Sequence, residues 1–262
     1  MKLTFYNSFG LFSFIIIFVS DEIFKIFQLF DNLSVEYNVI FNKIIVFIII
    51  FLLCYLYGVL KSTYVIKENN YTIVVKYADI FSIKNCLKVI PFDECFSTKI
   101  GTEKGDIKEK SICGQYLKKY PDIDIKKLIK TYKIRDIGKS EYRNKNKYEP
   151  GTLIKNNDFF LMAFVKLDKN GIGKMSRDDF LKCLDVLWKE INELYCQHDI
   201  CIPILGSGIT RFEDESLGHQ ELLDIIIASY KLSNKKIKTP NKLYIVCRKK
   251  DGVLLNKIGQ YI

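Results

Sequence analysis

Histidine is almost missing from this sequence: His198 and His219 are the only two in 262 residues. Cys196, His198 and Cys201 imitate half of a zinc site, but no second ligand pair accompanies them, so a zinc centre is not expected. The eight cysteines contain no CxxC pair and most sit in apolar runs, where a thiol behaves as a small hydrophobe. A reducing compartment suits that usage better than a disulfide framework. The GxSxG elbow is also lacking, so Ser207 is not read as a nucleophile. From Asp168 to Asp179 the spacing imitates a calcium loop, yet Ile172 stands where an oxygen ligand is required. That segment reads instead as a strand-to-helix loop. No internal repeat is apparent.

Charge is lacking in two places. Leu3 to Ser20 and Ile44 to Leu60 contain no charged side chain. The second run is bounded by Lys43 and Lys61 and, as a helix, is roughly 26 Å long, close to the apolar thickness of a bilayer. Its flanking lysines can reach the headgroups, and Tyr55 and Tyr57 suit an interface. The first run is broken by Asn7, Ser8 and Gly10. A signal peptide is its alternative reading, but Phe18-Val19-Ser20-Asp21 is a poor cleavage site. Residues 1–61 are therefore expected to form a transmembrane helical hairpin, with spans near 3–20 and 43–61. The lysine distribution places both ends in the cytoplasm.

Residues 62–262 read as one domain, and it carries the whole formal charge of +10, because four lysines cancel four acids in the hairpin. Such a body suits anionic lipid headgroups or a phosphorylated ligand; a Lys-rich composition without a partner is the alternative. Between Lys118 and Lys147 eleven basic residues face four acidic ones. Most read as a solvated, partly mobile insertion, with one or two touching ligand. No aromatic-interleaved motif accompanies them, so nucleic acid is not expected.

Strand-like runs recur at Tyr71–Tyr77, Leu87–Phe92, Phe159–Val165, Ile200–Leu205 and Leu243–Cys247. Between them, Ser176 with Asp179 starts a helix to about Tyr195, with Phe180, Leu184, Leu187, Ile191 and Leu194 at helical spacing. Leu222, Ile226 and Tyr230 begin another. Strand–helix alternation implies parallel pairing and an α/β layer fold. At the end of one such strand stands Ile204-Leu205-Gly206-Ser207-Gly208-Ile209-Thr210-Arg211-Phe212. Glycines beyond a parallel strand let backbone amides approach a phosphate, and a following helix adds favourable dipole. A tight turn without ligand is the plainer alternative.

Three fragments, in order, resemble a macro domain, the ADP-ribose-binding three-layer α/β/α fold with a mixed sheet. They are Tyr77-Ala78-Asp79-Ile80, Val89-Ile90-Pro91-Phe92-Asp93-Glu94 and Ile202 to Ile209. With the paired membrane spans, the layout is similar to the membrane-bound macro-domain effectors of the Thoeris antiphage defence system. Ser111 with Gly114-Gln115, Gly138-Lys139, Gly151-Thr152 and Leu187-Trp188 add to the likeness. The resemblance implies Asp79 and Ile80 at adenine and Gly206, Ser207, Gly208 and Ile209 around the phosphates. Thr210, Arg211 and Phe212 complete that loop, Lys139 or Arg211 adds charge, and Glu94 meets the non-adenosine end. It also implies an ADP-ribose-derived signal made from NAD by a TIR-domain partner, a homo-oligomer, and disruption of the bacterial inner membrane. No catalytic residue, metal or cofactor is expected. Asp93-Glu94 in place of an Asn-rich first loop points to a sensor, with a membrane-tethered ADP-ribosyl hydrolase as the alternative. A lipid-surface adaptor using only the basic stretch is a third.

Overall fold

The structure is a computed structural model, and it describes residues 10, 34–60, 62–208, 210–212 and 217–258. The chain divides into two units, Met1–Ser62 and Thr63–Ile262. In the first, α1 (Val35–Leu60) is a continuous helix of 26 residues. It starts eight residues before the expected span at 43, and Asn38, Val39 and Asn42 in its first turns are buried. Over Val35–Leu56 its mean hydropathy is 2.7, so by length and composition it can cross a membrane. The other expected span, residues 3–20, lies outside the described residues.

The second unit is built on a nine-stranded mixed sheet among the described residues. Its strands are β1 (Thr63–Lys67), β2 (Thr72–Tyr77), β3 (Cys86–Asp93), β4 (Leu153–Asn156), β5 (Phe159–Leu167), β6 (Gly173–Met175), β7 (Asp199–Pro203), β8 (Arg211–Phe212) and β9 (Leu243–Cys247). The order is β1-β2-β9-β7-β3-β5-β6-β8, with β4 also on β5. The five strands β2, β9, β7, β3 and β5 run parallel, so their C-terminal ends share one edge. β1 and β4 add antiparallel pairs at either side.

Parallel strands covered on both faces need apolar residues at every position, and alternate residues here enter two separate cores. On β5, Phe160, Met162 and Phe164 pack into one core, and Phe159, Leu161 and Ala163 into the other. The first core is covered by α4 (Arg177–Leu194) and α5 (His219–Leu232), the second by α2 (Ile112–Lys119) and α3 (Ile125–Thr131). The result is the expected three-layer arrangement.

Helix α4 follows the sequence pattern. The Ser176 hydroxyl caps it by accepting the Asp179 amide at 3.1 Å, and Phe180, Leu184, Leu187 and Ile191 are buried on one stripe. Each such burial contributes about 1.5–3 kcal/mol. Trp188 ties α4 to α5: its indole N–H donates to Ser229 at 3.1 Å and its ring meets Tyr230 edge-on at 4.9 Å.

Two expectations are corrected. Residues after the glycine turn do not lead straight to a helix: Arg211 and Phe212 form β8, paired with β6, and α5 begins only at His219. The basic stretch keeps most of its charges exposed, as expected, and is nonetheless built into the domain. It supplies α3 and a hairpin in which Ser140, Tyr142 and Tyr148 are buried. The Asp168 segment turns from β5 into β6. Its carboxylate accepts the amides of Asn170 and Ile172, both at 2.9 Å, and Lys174 stands 3.4 Å away.

Candidate functional site

A cleft of about 290 Å³ opens over the shared C-terminal edge of the parallel strands. Strand ends converge there: Asp93 from β3, Leu167 from β5, Pro203 from β7 and Cys247 from β9 all line it. Ligands collect at such an edge because loops leaving parallel strands expose unpaired amides there.

One wall follows β7. Ile204 closes a tight turn, with the Ser207 hydroxyl donating to its carbonyl at 2.7 Å. Gly206 lies at φ +82°, a left-handed conformation that L side chains rarely adopt. Gly206, Ser207, Gly208 and Thr210 line the cleft. Among the described residues, the amides of Gly206 and Gly208 have no hydrogen-bond acceptor. They are therefore available to an anion.

Another part of the lining is the segment from Gly105 to Cys113, which the sequence analysis did not place in the site. Ser111 caps α2 by accepting the Gly114 amide at 3.0 Å, which turns the first turn of the helix, with Ile112 and Cys113, toward the cleft. First-turn amides have no intrahelical acceptor and carry positive dipole, so the start of α2 adds donors to the same lining. Gly114 permits this: an added Cβ would stand 2.3 Å from the Lys108 carbonyl. The Ser111–Gly114 pair is the signal that marks this wall in the sequence.

Cations reach the cleft from unexpected positions. Lys108, Lys110 and Arg248 line it. Lys108 is held by the carbonyls of Thr102 and Glu103, and Arg248 pairs with Asp251 at 3.0 Å. Lys139 lies outside the lining, with its ammonium donating to Asn146 in the basic hairpin. Arg211 is exposed on β8, also outside it, and Phe212 packs beneath the loop, against Phe180 at 5.6 Å. Ile209 lies outside the described residues.

Asp79 and Ile80 line the end of the cleft near β2. Asp79 caps a single helical turn, Ile80–Ser82, by accepting the Phe81 amide at 2.8 Å on one oxygen. Its other oxygen has no partner among the described residues. Glu94 does not line the cleft. It is 4% exposed and accepts the Ser140 hydroxyl and the Leu167 amide, pinning the basic hairpin to the end of β5. Its neighbour Asp93 does line it, with one oxygen accepting the amides of Cys95 and Ser97 at 2.8 and 3.1 Å. Burial pushes the Cys95 thiol up to about 11 and raises Cys113 well above the usual thiol range, so both stay protonated at neutral pH.

This fold and this cleft define a macro domain. The solved structures it resembles include a glycine-to-valine mutant of the Oceanobacillus iheyensis macrodomain with ADPR and the same macrodomain with ADP. The first is 12% identical with a TM-score of 0.50, covering 76% of this chain and 98% of that one. The second is 11% identical, also at 0.50, covering 76% and 96%.

The family is narrower than the fold. Residues 73–248 match the family model of the macro domain of Thoeris protein ThsA, and the chain belongs to that family. Thoeris protein ThsA of Bacillus amyloliquefaciens (strain Y2) is 34% identical over 200 residues, which cover 72% of this chain. The chain spans 66% of the length of that relative.

Proposed function

We propose that this protein is a membrane-anchored receptor and effector of antiphage defence, whose macro domain binds an ADP-ribose-derived signal. The observation that carries this reading is that the glycine loop, with Gly206 and Gly208, and the start of α2 line the same cleft. A diphosphate held between them would have Lys108, Lys110 and Arg248 as counter-charges and Asp79 as an acceptor for an adenine amino group. The lines of support are family membership and the ADPR and ADP bound in the similar solved macrodomains.

The signal would come from NAD through a TIR-domain partner enzyme. The protein would sit as a homo-oligomer in the bacterial inner membrane by way of its N-terminal spans, with the macro domain in the cytoplasm. Binding would favour an assembly in which the helices breach the bilayer, killing the infected cell. Mechanically this needs only that the ligand bind the breaching assembly more tightly than the resting one.

We read the domain as a sensor rather than a hydrolase. A general base needs a carboxylate oxygen free to take a proton from water. Glu94 is buried against Ser140 and Leu167 and does not line the cleft, which leaves Asp93, with two amides on one oxygen and the other without a partner among the described residues, as the carboxylate a hydrolase would have to use. Calorimetry of the full chain in detergent with ADP-ribose tests the reading. Saturable binding without turnover is expected, and no heat at millimolar ligand would refute it. Release of ADP-ribose from an ADP-ribosylated protein would favour the hydrolase.

A further inference from the structure

Helix α3 divides into two faces. Ile125 is buried, and Leu128, Ile129 and Ile134 pack against the second core. The helix is held there at both ends: the Asp124 carboxylate accepts the Lys127 amide at 3.0 Å, and the Leu128 carbonyl accepts the Tyr132 amide at 2.9 Å. With about 3.6 residues per turn, Lys126, Lys127 and Lys130 fall on the opposite side. All three are exposed, as are Lys133 and Arg135 in the turn that follows.

Two features set this face apart from an ordinary solvated one. Lysines elsewhere on the domain find acids: Lys166 pairs with Asp179 at 2.7 Å, and Lys189 with Asp185 at 2.6 Å. Lys126, Lys127, Lys130, Lys133 and Arg135 have no acidic partner among the described residues. The nearest acids along the chain are Asp124, which is engaged in capping α3, and Asp136. In addition, large apolar side chains stand exposed among the cations: Tyr132 is 42% exposed and Ile137 54%. Apolar surface is costly in water, and tyrosine favours the headgroup level of a bilayer. Cations interleaved with such groups make a surface suited to anionic lipid. Single-stranded nucleic acid would call for several aromatic rings placed to stack on bases, and one exposed tyrosine does not supply them.

We propose that this face of α3 and its following turn is a docking surface for the anionic headgroups of the bilayer that α1 crosses. The proposal rests on the reading of α1 as a membrane anchor and is independent of what the cleft binds. Only Lys61 and Ser62 separate α1 from β1. That link is roughly 11 Å at full stretch, so docking is intramolecular and a few cations suffice. Each contributes about fivefold to the docking equilibrium, and salt weakens the attraction by screening. Tyr132 and Ile137 enter the headgroup layer between the lysines. Docking restricts the orientations that the macro domain takes at the membrane surface.

The test is lysine acylation of the full chain in lipid nanodiscs, read by mass spectrometry. Discs of phosphatidylcholine are compared with discs that also contain phosphatidylglycerol. At low salt Lys126, Lys127, Lys130 and Lys133 should label at least about fivefold more slowly in the anionic discs and recover at high salt. Lys235 and Lys238, exposed outside this face, should label alike in both. Replacing two of the cations, Lys127→Gln with Lys130→Gln, should remove most of the protection of Lys126 and Lys133. Equal labelling in the two kinds of disc overturns the proposal, and so does protection that survives the double variant undiminished. Protection by an RNA oligonucleotide in phosphatidylcholine discs, with none from phosphatidylglycerol, overturns it in favour of nucleic acid. If the chain does not enter discs, the anchor reading fails separately, and cosedimentation with preformed phosphatidylglycerol vesicles judges the face. Salt-sensitive binding that the double variant loses supports it; no binding overturns it.

Discussion

Gly206 and Gly208 stand two residues apart in the same loop, yet their substitution by alanine should have separate consequences. At Gly206 the backbone lies at φ +82°, where an L side chain costs about 1–2 kcal/mol. An added Cβ would also stand 3.0 Å from the Phe212 ring and 3.4 Å from Leu222. Phe212 is wedged against Phe180, so the ring can give only a few tenths of an ångström. Gly206→Ala should therefore destabilise the macro domain by about 1–2 kcal/mol, lowering its melting temperature by about 2–8 °C. At Gly208 nothing lies within 4 Å of an added Cβ and no positive φ is present. Gly208→Ala should leave the melting temperature within about 1–2 °C, because surface changes of this kind stay within about 0.5 kcal/mol. Its methyl group would nevertheless stand between a phosphate and the loop amides. Affinity for ADP-ribose should then fall at least about tenfold, the equivalent of 1.4 kcal/mol. The melt can be followed by the single tryptophan, because Trp188 is 1% exposed in the core between α4 and α5. Calorimetry supplies the affinity. Unchanged ADP-ribose binding by Gly208→Ala, or a loss of stability matching that of Gly206→Ala, would refute the placement of the loop amides at the ligand.

Three further outcomes are expected. Asp79→Asn keeps an acceptor for the Phe81 amide, so the melting temperature should hold. Exchanging one carboxylate oxygen for an amide donor should weaken ADP-ribose binding about tenfold, and an unaltered affinity would remove Asp79 from the adenine site. Glu94→Ala leaves the Ser140 hydroxyl and the Leu167 amide without their buried acceptor, and should cost about 2–4 kcal/mol by thermal melt; a loss below about 0.5 kcal/mol would show the pin to be dispensable. Burial raises the Glu190 carboxyl, so its ionised form opposes folding at neutral pH and the opposition fades as pH falls below its folded pKa. Glu190→Gln should thus melt slightly higher than wild type at pH 7, by well under about 1 kcal/mol after solvent screening, and the advantage should shrink toward pH 4. A lower melt for the variant at pH 7 would contradict this, and would show that the contact with the Leu153 amide outweighs burial.

Much of the scaffold was legible in one dimension, because its elements are long enough for periodicity to act. The expected helix from Ser176 to about Tyr195 is α4 to within a residue at either end, and Leu243–Cys247 is β9. The short strands β4, β6 and β8 have four, three and two residues. They escaped notice because no period can be read from so few positions, and neighbouring strands alone decide that they pair. In the site, the glycine turn could be picked out by residue type, and Asp79 by the resemblance of Tyr77-Ala78-Asp79-Ile80 to a macro domain. Lys108, Lys110 and Arg248 could not, since in a Lys-rich chain one lysine looks like another.

What the sequence determined by itself is therefore local: an apolar run long enough to cross a bilayer, the alternation of buried strands with capped helices, and a turn needing glycine. Each follows from side-chain period or backbone sterics within a dozen or so residues. The tertiary structure decided which groups meet. Five strands running the same way bring Asp79, the start of α2, the glycine loop and Arg248 to one edge, although more than 160 residues separate the first from the last. It also decided that Glu94 turns inward to Ser140 and that Lys139 stays away. Neighbours across a sheet are set by pairing order and strand direction, which are global properties of the chain, and no single segment carries them.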